Sequence, residues 1–228
     1  MTATRKTGEP LRFVTAASLF DGHDAAINII RRLLQDGGAE VVHLGHNRSV
    51  EDIVHAAVQE GVQGVAVSSY QGGHMEFFKY LVDRLREEGC DYVKVFGGGG
   101  GVIVPEEIEE LEAYGVAKIY SPEDGRRLGL VGMIRHMMEV TSGVNFPDVA
   151  GEISSLTPAS HRLIGRLVGV AERSHNGSGG AFAPIRKQLE KQVNRTVPVI
   201  GITGTGGAGK SSFIDELLRR MVYYYSDK

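Results

Sequence analysis

Cysteine is almost absent: Cys90 is the single one in 228 residues. One thiol cannot build an internal disulfide framework, and such usage fits a reducing cytoplasm. No apolar run approaches the roughly 20 residues that span a bilayer. The stretch from Met1 to Pro10 is polar and lacks a signal-peptide core. Positive charge is not in excess either. The formal net charge is −3, so neither nucleic acid nor an anionic membrane is expected as a partner. Hydrophobic residues at 42% and charged ones at 23% describe a globular chain, long enough for one full domain and part of another. The residue in excess is glycine. It clusters at 97–101, 177–180 and 201–209, and clustered glycine marks backbone near a ligand or a flexible link.

Short apolar strands alternate with helical periodicity over the first 140 residues. Strands are predicted at Arg12–Ser18, Glu40–Leu44, Gly64–Ser68, Tyr92–Phe96 and Lys118–Tyr120. Helices are predicted at Asp24–Gln35, from Ser49 to Gly61, at Gly73–Glu88, from Pro105 and at Asp124–Val140. Ser49 with Asp52 three residues on is a helix-start signature. Five strand–helix units imply a parallel sheet covered on both faces. The expected architecture is α/β, flavodoxin-like, with five strands in the order 2-1-3-4-5. In that order a ligand sits beyond the C-terminal ends of strands 1 and 3. Residues 11–140 form this domain. Residues 141–195 read as a linker with two helices, Pro158–Arg173 and Pro184–Val193, around a break at Asn176–Gly180. Residues 196–228 open a further domain with a strand at Val197–Ile202.

Gly204-Thr205-Gly206-Gly207-Ala208-Gly209-Lys210-Ser211, followed by Ser212, fits the Walker A pattern between a predicted strand and a helix running from Lys210 to about Val222. Glycines let backbone N–H groups wrap phosphates, and a helix N-terminus adds partial positive charge. In such a loop Lys210 would neutralise the β/γ phosphates and the Ser211 hydroxyl would complete a magnesium shell. Only seventeen residues follow Ser211, so an incomplete nucleotide domain is expected, without hydrolysis of its own.

The loop after strand 1 reads Leu19-Phe20-Asp21-Gly22-His23-Asp24. The loop after strand 3 reads Ser68-Ser69-Tyr70-Gln71-Gly72-Gly73-His74. Ser68 and Ser69 stand where a phospho-receiver needs an acid, and acids and a histidine stand where a flavin phosphate loop needs Ser or Thr. An acid two residues before a histidine can instead fix one imidazole tautomer, as at metal ligands. His43 and His46 flank a strand end as solvated or cofactor-lining residues, and His74 is placed at a helix start near the slot.

Asp21-x-His23, Ser68-x-Tyr70 and the glycines after strand 4 resemble the cobalamin-binding domain of adenosylcobalamin-dependent mutases and of methionine synthase, over about residues 11–140. The resemblance implies that His23 is the lower axial ligand to cobalt, replacing the cofactor's own benzimidazole. It makes Asp21 the partner that orients His23, with Gly22 and Asp24 in the same motif. Ser68 bonds the displaced base, Tyr70 and Gly72 line its slot, and Gly98 and Gly99 let the nucleotide tail pass. Tyr120, Ser121 and Pro122 sit at the slot's far end. Two positions depart from the motif: Ala26 stands for a glycine and Tyr70 for a leucine, and Ala26 is expected to crowd the tail.

A cobalamin domain directly followed by a Walker A loop resembles the family of fused isobutyryl-CoA mutases. That resemblance implies adenosylcobalamin and GTP with Mg²⁺ as cofactors, and GTP/GDP exchange on a G-protein chaperone domain. It also implies an acyl-CoA substrate on a barrel that this sequence does not contain, interconversion of isobutyryl-CoA and n-butyryl-CoA, a homodimer and a cytoplasmic location. A corrinoid carrier for methyl transfer would use the same His23 motif without need of a Walker A loop. A non-catalytic cobalamin-binding regulator would usually add a basic or partner-binding domain.

Overall fold

A computed structural model describes residues 10–144, 149–175, 182–192 and 198–225. The expected break at Asn176–Gly180 lies outside the described residues. The chain separates into two compact units, Met1–Gln188 and Leu189–Lys228.

The first unit is built on five parallel strands: β1 (Arg12–Ser18), β2 (Glu40–Arg48), β3 (Gly64–Ser68), β4 (Lys94–Gly98) and β5 (Lys118–Tyr120). Their order is β2-β1-β3-β4-β5, as the alternation predicts. Helices α1 (Ala25–Asp36), α2 (Val50–Glu60), α3 (His74–Glu87), α4 (Pro105–Tyr114) and α5 (Pro122–Ser142) connect and follow them. Side chains alternate across β1. Phe13 and Ala17 pack with Ile27 and Leu34 of α1 and Met137 of α5. Val14 and Ala16 face the other way, toward Ile53 of α2, Phe78 of α3 and Leu111 of α4. Each fully buried Phe, Leu or Ile contributes about 1.5–3 kcal/mol, so both faces of the sheet are secured.

Local chemistry sets the helix ends. Ser49 accepts from the Asp52 N–H while Asp52 reaches back to the Ser49 N–H, and Gly61 closes α2 in the left-handed region at φ 57°. Ser121 and Asp124 form the same box at α5, with Pro122 in its first turn. Each such cap is worth about 1 kcal/mol. Beyond the sheet come α6 (Val149–Glu152), α7 (His161–His175) and α8 (Phe182–Gln192). Gly165 of α7 lies against α2: a Cβ there would stand 2.4 Å from the Gln59 carbonyl oxygen.

Four expectations need correction. β2 continues past Leu44 to Arg48, through two register shifts in its pairing with β1. β4 starts at Lys94, not Tyr92, and runs on to Gly98, because Phe96 to Gly98 are paired on both sides, with β3 and β5. α5 is interrupted at Gly129, whose φ of 62° and ψ of 170° are not helical. The strand expected at Val197–Ile202 is not formed by its described residues, 198–202. A strand requires a neighbour for its N–H and C=O groups, and none is present among the described residues of the second unit. That unit therefore contributes the loop and the helix α9 (Lys210–Tyr224) without the strand. No helix among the described residues is long and apolar enough to cross a membrane.

Candidate functional site

The loops after β1, β3 and β4 meet at the C-terminal edge of the sheet. The Ser18 hydroxyl donates to the Ser69 hydroxyl at 2.9 Å, in a buried position. The Ser69 N–H donates to the Gly98 carbonyl at 2.8 Å. These bonds place the Asp21 loop beside Tyr70.

Asp21 is fully buried while the His23 side chain is 67% exposed. One Asp21 oxygen accepts from the His23 N–H at 2.8 Å and lies 2.9 Å from His23 Nδ1. The other accepts from the Tyr70 N–H at 2.7 Å. A carboxylate that accepts every one of these bonds requires the ring proton on Nδ1. In the neutral imidazole Nε2 then keeps its lone pair, the form that binds a metal. The Tyr70 ring stands beside the imidazole, centroids 5.6 Å apart. Among the described residues no three His, Cys, Asp or Glu side chains gather into a metal cluster. His23 thus offers one ligand, not a cage.

Beside this pair lies a cavity of about 310 Å³. Its walls are Ala26, Ile29 and Ile30 of α1, Phe96 to Gly100 of β4 and the following loop, and Leu130 and Met133 of α5. Ser68 and Tyr70 line it, as do Tyr120, Ser121 and Pro122. The lining is mostly apolar, and the buried Ser68 hydroxyl has no hydrogen-bond partner among the described residues. An unpaired buried hydroxyl costs about 1–3 kcal/mol, so a ligand that accepts its proton gains that much. Tyr120 keeps its phenol oxygen 2.7 Å from His136 Nδ1, and burial pushes its pKa well above the usual range.

Most residues expected in the slot are gathered there. Gly72 is not: it lines a second hollow with Phe20, Glu51 and Tyr80. Gly22 and Asp24 lie in the loop outside the cavity, Asp24 preceding α1 with no side-chain cap bond. His74 is buried at the start of α3 and meets Glu107 at 2.8 Å. The Val104 N–H, and after it His74, hold Glu107 below the usual carboxylate range. His43 lies 2.9 Å from the Thr15 hydroxyl through its Nδ1, and burial, with Arg31 second, lowers its pKa.

Gly99 has a reason that differs from the expected one. A Cβ there would stand 2.0 Å from the Ser69 carbonyl oxygen, so glycine is required by the approach of two loops. The sequence reading missed Ile29 and Leu130, 47% and 48% exposed at the cavity. Ile29 carries a usable signal, since it falls outside the apolar stripe of Ala26, Ile27, Ile30, Leu33 and Leu34.

In the second unit, Gly207 and Gly209 take left-handed φ of 76° and 77°. Lys210 Nζ donates to the Gly204 and Thr205 carbonyls at 2.9 and 2.7 Å. Gly206 and Ala208 complete the exposed loop, and Ser211 and Ser212 lie exposed in the first turn of α9.

A family model described as the B12 binding domain matches residues 11–125. A fused isobutyryl-CoA mutase of Geobacillus kaustophilus is 57% identical over 215 residues, covering 93% of this chain and 20% of that protein. One from Cupriavidus metallidurans is 55% identical over 217 residues, 95% of this chain and 19% of that protein. The small subunit of the 2-hydroxyisobutanoyl-CoA mutase of Aquincola tertiaricarbonis is 31% identical over 110 residues, 48% of this chain and 79% of that subunit. The chain spans about one fifth of the length of the two fused mutases.

Proposed function

The chain belongs to the B12-binding domain family, and on that premise we propose that it is the cofactor domain of an adenosylcobalamin-dependent acyl-CoA mutase, with His23 Nε2 as lower ligand to cobalt. The observation that carries this reading is the unpaired, buried Ser68 hydroxyl in an apolar cavity beside a histidine held by Asp21. A displaced benzimidazole matches that cavity in kind: flat, mostly apolar, with a ring nitrogen to accept the Ser68 proton. The fit is thus made by this chain's own donor set.

Bound adenosylcobalamin supplies the radical chemistry. The residues bind and orient. Asp21 keeps the proton on His23 Nδ1 and so keeps Nε2 available. Ser68 donates to the base. Tyr70, Gly98, Gly99, Tyr120, Ser121 and Pro122, with Ile29 and Leu130, enclose the tail and exclude water. The acyl-CoA substrate, interconverted between isobutyryl-CoA and n-butyryl-CoA, binds a barrel elsewhere in a longer, homodimeric, cytoplasmic protein.

Asp21→Ala tests the orientation role. Removing the carboxylate frees the imidazole and leaves the Tyr70 N–H unpaired. Cobalamin binding is expected to loosen by about 10–100-fold, the range for a residue that orients a metal ligand. The fold should persist with about 1–3 kcal/mol less stability. Calorimetric titration with cobalamin reads the affinity, and an unchanged value reduces Asp21 to a packing residue.

Residues 204–212 are the phosphate loop of the GTP-hydrolysing chaperone domain, with Ser211 toward Mg²⁺. A bound phosphate takes Lys210 from the two carbonyls it now contacts. In the full-length protein, Lys210→Ala should abolish GTP turnover and leave cobalamin absorbance unchanged. Loss of both on the same sample contradicts independent binding units.

A further inference from the structure

Phe20 and Asn47 are the two non-glycine residues at positive φ among the described residues, at 65° and 55°. Asparagine tolerates the left-handed region, whereas a bulky aromatic does not. Packing does not hold Phe20 there, because it is 79% exposed. Hydrogen bonds do: the Asp21 N–H closes the turn onto the Ser18 carbonyl at 3.0 Å, and two more involve Asn47. The Phe20 N–H donates to Asn47 Oδ1 at 2.8 Å, and the Asn47 N–H donates to the Asp21 carbonyl at 3.2 Å. Asn47 therefore grips the Phe20–Asp21 segment on both sides, immediately before the carboxylate that holds His23.

The strand carrying Asn47 is shaped for this contact. β2 shifts register against β1 between Thr15 and Ala16 and again between Ala16 and Ser18. Gly45, at φ 83°, lies at the first shift. Irregularities of this kind re-aim side chains beside functional sites. Here they carry β2 past its expected end and bring Asn47 over the β1 loop. Strain held in place by its surroundings clusters at such sites.

We propose that Asn47 is a positioning residue for the metal-ligating histidine: it locks the Phe20–Asp21 backbone, which fixes the Asp21 carboxylate and through it the His23 ring. The proposal rests on the cobalamin reading above. It is distinct from a contact to the cofactor, since Asn47 acts through Asp21.

Asn47→Gly keeps a left-handed backbone and the N–H but removes the amide acceptor. Asn47→Asp keeps an acceptor oxygen and tolerates the same conformation. Both are compared with wild type and His23→Ala in the intact chain. Thermal unfolding, cobalamin affinity by absorbance titration, and electron paramagnetic resonance of cob(II)alamin on ¹⁵N-labelled protein are measured. Asn47→Gly is expected to unfold near the wild-type temperature, to lose about 10–100-fold in affinity and to show a reduced share of protein-nitrogen coupling. Asn47→Asp is expected to restore both. Wild-type affinity and coupling in Asn47→Gly overturn the proposal. So does an equal loss in the two variants that follows a fall in unfolding temperature. If His23→Ala itself keeps wild-type affinity and coupling, the cobalamin reading fails instead.

Discussion

Gly99→Ala is expected to weaken cobalamin binding by at least about 100-fold, while Gly101→Ala, two residues away, leaves it intact. The added methyl at Gly99 would lie 2.0 Å from the Ser69 carbonyl oxygen and 3.1 Å from its carbon. That neighbour is backbone and cannot rotate aside. It is also tied down, because the Ser69 N–H binds Gly98 and its hydroxyl binds Ser18. The β3 and β4 loops must separate, and overpacking of this kind costs about 1–3 kcal/mol or more. The displaced segment includes Tyr70, whose N–H then leaves the Asp21 carboxylate. His23 loses its orientation and the cavity loses its shape together, so a loss of at least about 100-fold is expected, at or beyond the upper end for one orienting residue. A Cβ at Gly101 meets nothing within 4 Å, and an exposed change of that sort stays within about 0.5 kcal/mol. Absorbance titration and thermal unfolding of the pair check the contrast. Equal behaviour of the two variants contradicts it.

What could be read from the sequence was whatever repeats or sits at a fixed spacing. β1, β3 and β5 carry apolar β-formers between turn residues, and their bounds were legible to the residue. Strand order followed from five alternating units. Asp21, His23 and Ser68 could be placed together because Asp21 and His23 follow the end of β1 and Ser68 is the last residue of the adjacent β3. What depends on contacts between distant residues was not legible. Gly45, His46 and Asn47 look like a turn, and only pairing with β1 shows that β2 continues through them. Gly97 and Gly98 look like loop, yet they are strand because β3 and β5 flank them. The strand before the phosphate loop shows the same effect in reverse: local composition favours it, but among the described residues nothing pairs with residues 198–202. Gly99 stands out in the sequence as part of a glycine run, but the cause of its glycine, the Ser69 carbonyl, stands 30 positions away. Phe20 shows no local signal at all, since an aromatic gives no warning of a left-handed backbone.

On the function proposed above, His23 Nε2 would hold cobalt while the cofactor's own base occupies the Ser68 cavity. On that reading the loss of His23 would remove the ligand itself, so His23→Ala is expected to exceed the effect of Asp21→Ala on the bond to cobalt. The direct measurement is electron paramagnetic resonance of cob(II)alamin bound to ¹⁵N-labelled protein. Cobalt in the lower-ligand state couples to a single nitrogen, and the isotope reports which molecule supplies it. The ¹⁵N pattern of a protein histidine in wild type, lost in His23→Ala, is the predicted result. Coupling to the unlabelled ¹⁴N of the cofactor's own base, unchanged in His23→Ala, contradicts the account.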